Sequence, residues 1–188
     1  MSARARDTIG PPMIRKPAPL EYDALMEYAV RTLAGRGHSA SELRRKLLRR
    51  AAKRDDIQRV VAALTEAGAL SDERFAESFA VSRLANRGFG RQRVVRELRA
   101  RQVGQNVTNE AVDSAYRDTN ELELIDRYIE KKFRGKDLPE YLGDPKNLQS
   151  AYRKLRMAGF SSGSSMRALK KYSQRADELE DSEDGLNP

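Results

Sequence analysis

The 188-residue sequence has no cysteine, no tryptophan, one histidine and only 6% aromatic residues. Without cysteine there is neither a disulfide nor a thiolate metal site, which suits a reducing cytosol. With His38 as the sole imidazole, no Ser–His–acid or Cys–His set can be assembled. No apolar run approaches the roughly 20 residues that span a bilayer. The basic N-terminus lacks the apolar core of a signal peptide. The expectation is a soluble, cytoplasmic chain with no membrane contact. Few aromatics beside 34% charged residues favour helices packed on Leu, Val and Ala over one large core.

What the sequence does hold is positive charge, unevenly placed. Lys and Arg number 36 against 28 acids, a formal +8. The stretch 173–188 carries one Arg and six acids, so residues 1–172 hold +13. Such a surplus points to a polyanionic partner, either nucleic acid or an acidic protein surface; the plainer reading is a solvated basic surface. The same asymmetry predicts that the acidic tail over 173–188 competes for the basic face, so that deleting it strengthens DNA binding.

The most informative stretch is 68–98. Gly68 reads as a left-handed helix cap and Ser71 or Asp72 as the next N-cap. Phe75, Ala76, Phe79, Ala80 and Leu84 share one helical face. Gly88 and Gly90 bracket Phe89 and break the helix, after which Val94, Val95 and Leu98 resume the stripe. Upstream, a helix over about 22–36 carries Leu25, Tyr28, Ala29, Thr32 and Leu33. Ser39 and Glu42 form a capping box for a helix with Leu43, Leu47 and Leu48. Asp55 reads as the cap of a third, with Ile57, Val60, Val61 and Leu64.

The unit then recurs. Arg36-Gly37 returns as Arg87-Gly88, 51 residues on, and the same offset carries Tyr28 to Phe79, Ala29 to Ala80, Leu33 to Leu84, Leu43 to Val94 and Leu47 to Leu98. The second unit closes with a helix near 109–117. A third starts at Asn120, with Glu123 as capping partner and Leu122, Ile125, Tyr128, Ile129 and Phe133 as its stripe. A polar insertion follows to about Gly143, Asp144-Pro145 starts the next helix, and a ninth begins near Ser164. The predicted fold class is all-α: tandem three-helix, helix-turn-helix-like repeats, about nine helices, elongated and curved. The expected organisation is a disordered Pro-rich leader over 1–20, repeats over 21–72, 73–119 and 120–172, and a disordered acidic tail over 173–188.

Catalytic chemistry finds no footing. Asp55 and Asp56 are adjacent acids at a helix start, where they serve the dipole. Converging carboxylates for a metal are missing, and Gly88-Phe89-Gly90 lacks the other elements of a phosphate loop. Catalytic, cofactor and metal residues are therefore none. The candidate binding residues are Arg31, Arg36, Arg44, Arg45, Arg49 and Arg50 in the first unit, Arg83, Arg87, Arg91, Arg93 and Arg96 in the second, and Lys131, Lys132 and Arg134 in the third. Their spread over every unit fits backbone contact better than base reading.

Three groups of residues now carry a likeness. They are Arg36-Gly37-His38-Ser39 with Glu42-Leu43 and Lys46-Leu47; Gly68-Ala69-Leu70-Ser71-Asp72-Glu73-Arg74-Phe75-Ala76; and Arg87-Gly88-Phe89-Gly90 with Arg93-Val94 and Glu97-Leu98. Gly159-Phe160-Ser161 echoes a last-repeat signature. Over about 22–172 the chain resembles the RecX family of bacterial recombinase regulators. The resemblance implies three tandem three-helix repeats, no catalysis and no cofactor. It implies a monomer that lies in the groove of the RecA–DNA filament, contacts RecA and weakly DNA, and inhibits RecA's ATPase, strand exchange and co-protease functions in repair, recombination and the SOS response. The rivals are a helix-turn-helix DNA-binding protein indifferent to RecA, an adaptor solenoid for acidic proteins and, more distantly, an enzyme.

Overall fold

The computed structural model describes residues 18–176. The expectations for the leader and for the acidic tail fall almost wholly outside the described residues. Ten α-helices run in order: α1 (Tyr22–Gly35), α2 (Ala40–Leu48), α3 (Arg54–Glu66), α4 (Asp72–Ser82), α5 (Arg91–Ala100), α6 (Gln105–Tyr116), α7 (Glu121–Lys132), α8 (Leu138–Gly143), α9 (Pro145–Ala158) and α10 (Ser162–Lys170). A π-helical turn, Arg83–Arg87, prolongs α4. No strand occurs among the described residues, and the one bridge there pairs Leu20 with Ala51.

Local sequence explains most of the helix ends. Ser39 accepts from the Glu42 N–H while Glu42 reaches back to the Ser39 N–H, the reciprocal pairing expected. Ser71 caps α4 through the Arg74 N–H. Asp144 accepts from Lys146 and Asn147, with Pro145 in the first turn of α9. Left-handed Gly88 and Gly159 close the helices before them.

Five expectations are corrected. Asp55 lies inside the first turn of α3, whose N-cap, Lys53, makes no side-chain bond. Glu123 accepts from the side-chain amide of Asn120 rather than from its backbone. Leu48 is 55% exposed, because the buried face of so short a helix is filled by Leu43 and Leu47. The helix after Gly104 starts at Gln105, four residues early. The polar insertion is itself helical, α8, and its Leu142 is fully buried. Among the described residues the count is thus ten α-helices rather than nine.

Burial sorts the chain into three successive cores. One gathers Leu25, Ala29, Leu43, Leu47, Val60 and Leu64 from α1–α3. The next holds Ala76, Ala80, Val94, Leu98, Ala111 and Val112 from α4–α6. The last is the largest, from α7–α10, with Ile125, Ile129, Leu142, Leu155, Phe160 and Leu169. The offset of 51 continues into the third helix, where Ile57, Val60 and Val61 correspond to Thr108, Ala111 and Val112, all buried. From the second unit to the third, the region around the middle helix is offset by 57. Gln102 and Gly159 are the left-handed residues after α5 and α9. The Val103 N–H donates to Leu98 and the Phe160 N–H to Leu155, each at 3.2 Å. Gly104 and Ser161 then cap the next helices.

The units join head to tail through equivalent positions. Ser39, before α2, donates its hydroxyl to the Arg101 carbonyl at the end of α5 at 2.8 Å. Gly90, before α5, donates its N–H to the Ala158 carbonyl at the end of α9, also at 2.8 Å. At the first junction Asp72 adds an acceptor for the Ala40 N–H. At the second, two segments of the chain touch backbone to backbone: a Cβ on Gly90 would overlap the Gly159 carbonyl group and lie 2.6 Å from the Phe160 nitrogen.

Candidate nucleic-acid interface

The fourteen basic candidates divide by what already holds them. Arg83 and Arg93 converge on Glu97, at 2.8 and 3.0 Å. Burial pushes the Glu97 carboxyl up, but the two guanidinium hydrogen bonds and charges outweigh it and hold it below the ordinary carboxylate range. Both arginines also lie on rings, Arg83 over Phe79 at 4.4 Å and Arg93 over Phe89 at 3.7 Å. Arg50 is half-buried over Tyr28. These three brace the fold. Arg36 lies 3.9 Å from Glu42, and Arg91 is paired with Asp113. Arg31 makes an exposed pair with Glu27 along α1, of a kind worth a few tenths of a kcal/mol.

The remaining eight are turned outward. Arg44, Arg45, Arg49, Arg87, Lys131, Lys132 and Arg134 are exposed and, among the described residues, make no ion pair; Arg96 is exposed and touches the Met157 carbonyl at 3.3 Å. About half of the residues that sequence singled out are thus left without an ion pair among the described residues. Arg153 was missed. It is exposed on α9 and corresponds to Arg96 once the offset changes to 57. The insertion that changes the offset hides this correspondence in the sequence.

The buried or half-buried polar groups of His38, Tyr116 and Glu121 are held by partners within their own units. His38 is 3% exposed with Nδ1 3.5 Å from Glu42. Burial, with Arg36 and Lys46 nearby, lowers its pKa despite Glu42, so it is neutral near pH 7. Glu121, at the start of α7, accepts from both the N–H and the hydroxyl of Ser161. Burial raises its pKa, but those bonds, with Ser164 and Arg156, hold it below the usual range. A cavity of about 290 Å³ opens between the second and third units, lined by Gly90, Gln92, Tyr116 and Glu121 among others. Its carboxylate is already satisfied by Ser161, and the Tyr116 hydroxyl donates to the Phe89 carbonyl at 2.7 Å. Burial raises the pKa of that hydroxyl, so it stays protonated.

Comparison with known proteins agrees with this architecture. Residues 71–112 match the family model described as RecX, second three-helix domain. The Regulatory protein RecX of Cronobacter sakazakii is 38% identical over 107 residues, covering 52% of this chain and 62% of that protein. That of Chromohalobacter salexigens is 43% identical over 94 residues, covering 50% and 61%. The chain thus spans about three fifths of the length of these relatives. The crystal structure of RecX from Lactobacillus salivarius superposes with a TM-score of 0.61 at 15% identity, over 80% of this chain and 96% of that one; this shows the all-α fold. The Regulatory protein RecX of Salmonella heidelberg is 36% identical over 121 residues, covering 59% of this chain and 70% of its own length. With that much of a relative accounted for and the fold shared, the chain belongs to the RecX family.

Proposed function

We propose that this protein is a non-enzymatic regulator that binds RecA and the RecA–DNA filament and inhibits or modulates RecA's recombinase, ATPase and co-protease activities. The observation that carries the reading is the repeated head-to-tail junction. Ser39 on Arg101 and Gly90 on Ala158 join three small cores in series, which makes a modular body that presents equivalent faces to a repeating partner. Membership of a family whose curated members are named regulatory proteins supports the role. The outward arginines and lysines supply attraction to a polyanion. A cytoplasmic monomer that touches DNA weakly and no membrane fits this role. No helix of the described residues is long and apolar enough to cross a membrane.

Such a regulator acts by occupancy. It shifts the association equilibrium of filament subunits by its differential affinity for one state, without entering the nucleotide site. The test is RecA's ATPase on single-stranded DNA at modest salt. Micromolar protein lowers turnover, and the inhibition weakens as salt rises. Unaltered ATPase, with tight binding to naked duplex, would instead favour a DNA-binding protein independent of RecA.

A further inference from the structure

We propose that Arg45, Arg96 and Arg153, one from the middle helix of each unit, form a ladder that grips phosphates of a nucleic-acid strand. The proposal rests on the filament reading above and names the surface that meets the DNA.

The three residues are equivalent by structure. The offset of 51 pairs Arg45 with Arg96 between Leu43/Leu47 and Val94/Leu98, all fully buried. The offset of 57 pairs Arg96 with Arg153 between Val94/Leu98 and Ala151/Leu155, again fully buried. Each arginine stands midway between two core residues four apart, on the opposite side of its helix at about 100° per residue. All three are exposed. Because both junctions reuse the end of the following middle helix, the step from the first unit to the second resembles the step from the second to the third. A side chain at one register is therefore carried along the stack.

This register is also the one on α2, α5 and α9 that is basic in every unit. The next position toward the C-terminus is Lys46, Glu97, Lys154; the position of Leu48 is apolar in the first unit. A second all-basic register lies after the first helices: Arg36, Arg87 and, at the offset of 49 that carries Ala76 to Ile125 and Ala80 to Ile129, Lys136. There Arg36 faces Glu42 at 3.9 Å and Lys136 sits on the Tyr141 ring at 3.5 Å. By contrast, Arg45 and Arg153 make no ion pair among the described residues, and Arg96 gives one N–H to Met157 at 3.3 Å. Identical residues at an identical register suit a ligand that repeats one group. A guanidinium offers two parallel N–H donors to two phosphate oxygens, and a nucleic-acid backbone repeats that anion along its length.

The experiment measures binding of the full chain to mixed-sequence single-stranded DNA, without RecA, across a salt series. Arg45→Gln, Arg96→Gln and Arg153→Gln each lower the slope of log K against log salt by about 0.7, and the triple variant by about 2. The effect is the same for different sequences. Arg→Lys at each site retains the slope, and Arg54→Gln, an exposed arginine on α3, leaves it unchanged. Unaltered slopes in the three glutamine variants, or a fall no larger than that of Arg54→Gln, would overturn the ladder. Loss of RecA inhibition with an intact DNA slope would assign the arginines to protein contact and overturn the phosphate assignment. If the parent protein leaves RecA's ATPase untouched while the ladder variants still lower the DNA slope, the filament reading fails and the ladder stands.

Discussion

A glycine in this chain means three different things, and only its neighbours distinguish them. Gly68 has φ +66 with open space around it, so Gly68→Ala meets only the left-handed strain, about 1 kcal/mol. Gly90 has an ordinary φ of −72, yet any Cβ there overlaps Gly159. Gly159 combines both problems, with φ +96 and a Cβ overlapping the Arg93 backbone. Urea unfolding is expected to rank the losses Gly159→Ala, then Gly90→Ala, then Gly68→Ala, the first exceeding about 2 kcal/mol. The helix-breaking roles of Gly68 and Gly90 were legible in sequence. The contact between Gly90 and Gly159 was not, because 69 residues separate them. His38 gives a second prediction at this scale. Its folded pKa lies below the unfolded value, so the neutral form is favoured in the native state. Stability is therefore full above the unfolded pKa near 6.5 and is lost as pH falls through it toward the folded value. As the only histidine, it makes a clean test: between pH 7 and 5.5 the parent loses unfolding free energy. His38→Phe, which copies Phe89 at the equivalent position, should show a flatter profile.

At the scale of elements, the same type of cap carries unequal weight. Ser71 closes the first turn of α4 and nothing distant, so Ser71→Ala should cost about 1 kcal/mol. Ser39 is fully buried, caps α2 and also bonds the next unit through Arg101. Ser39→Ala is expected to cost visibly more, by the added price of a half-buried carbonyl left without its donor; equal losses in parallel thermal melts would show that the junction bond contributes nothing. The helix α8 makes a sharper case. Its sequence, Leu138-Pro139-Glu140-Tyr141-Leu142-Gly143, is too short for periodicity to reveal it. Its Leu142 nevertheless completes the third core, beside half-buried Leu138 and Tyr141. Leu142→Ala should therefore destabilise by about 2–5 kcal/mol, whereas a loop residue would be silent in the same unfolding measurement. The π-helical turn before Gly88 was equally hidden, since sequence periodicity does not distinguish one wide turn at a helix end.

On the scale of the whole molecule, three cores in series replace one. The Ala-rich middle core brings α4 and α6 close, and its neighbours are tied to it by hydrogen bonds at Ser39, Asp72 and Gly90, with Leu84 and Tyr116 packed against the third core. Charge acts at the same scale. Residues 177–188 bring six acids and no base to a chain of net +8. Deleting them should strengthen binding to single-stranded DNA several-fold at low salt, an effect that fades as the Debye length shortens. A titration in which the shortened chain binds no better at any salt would mean that the tail's field does not reach the basic face.

Sequence by itself determined the helical class, the caps at Ser39, Ser71 and Asp144 and the 51-residue repeat, because these depend on interactions within a few turns of chain and on side-chain periodicity. It also determined the surplus of positive charge. Only the tertiary structure decided which arginines are free. Arg83 and Arg93 look like Arg45 and Arg96 in the sequence, yet they are committed to Glu97 and to the faces of Phe79 and Phe89. The reason is physical. A guanidinium's availability depends on the carboxylates and rings that packing brings to it, and packing here joins residues on different helices.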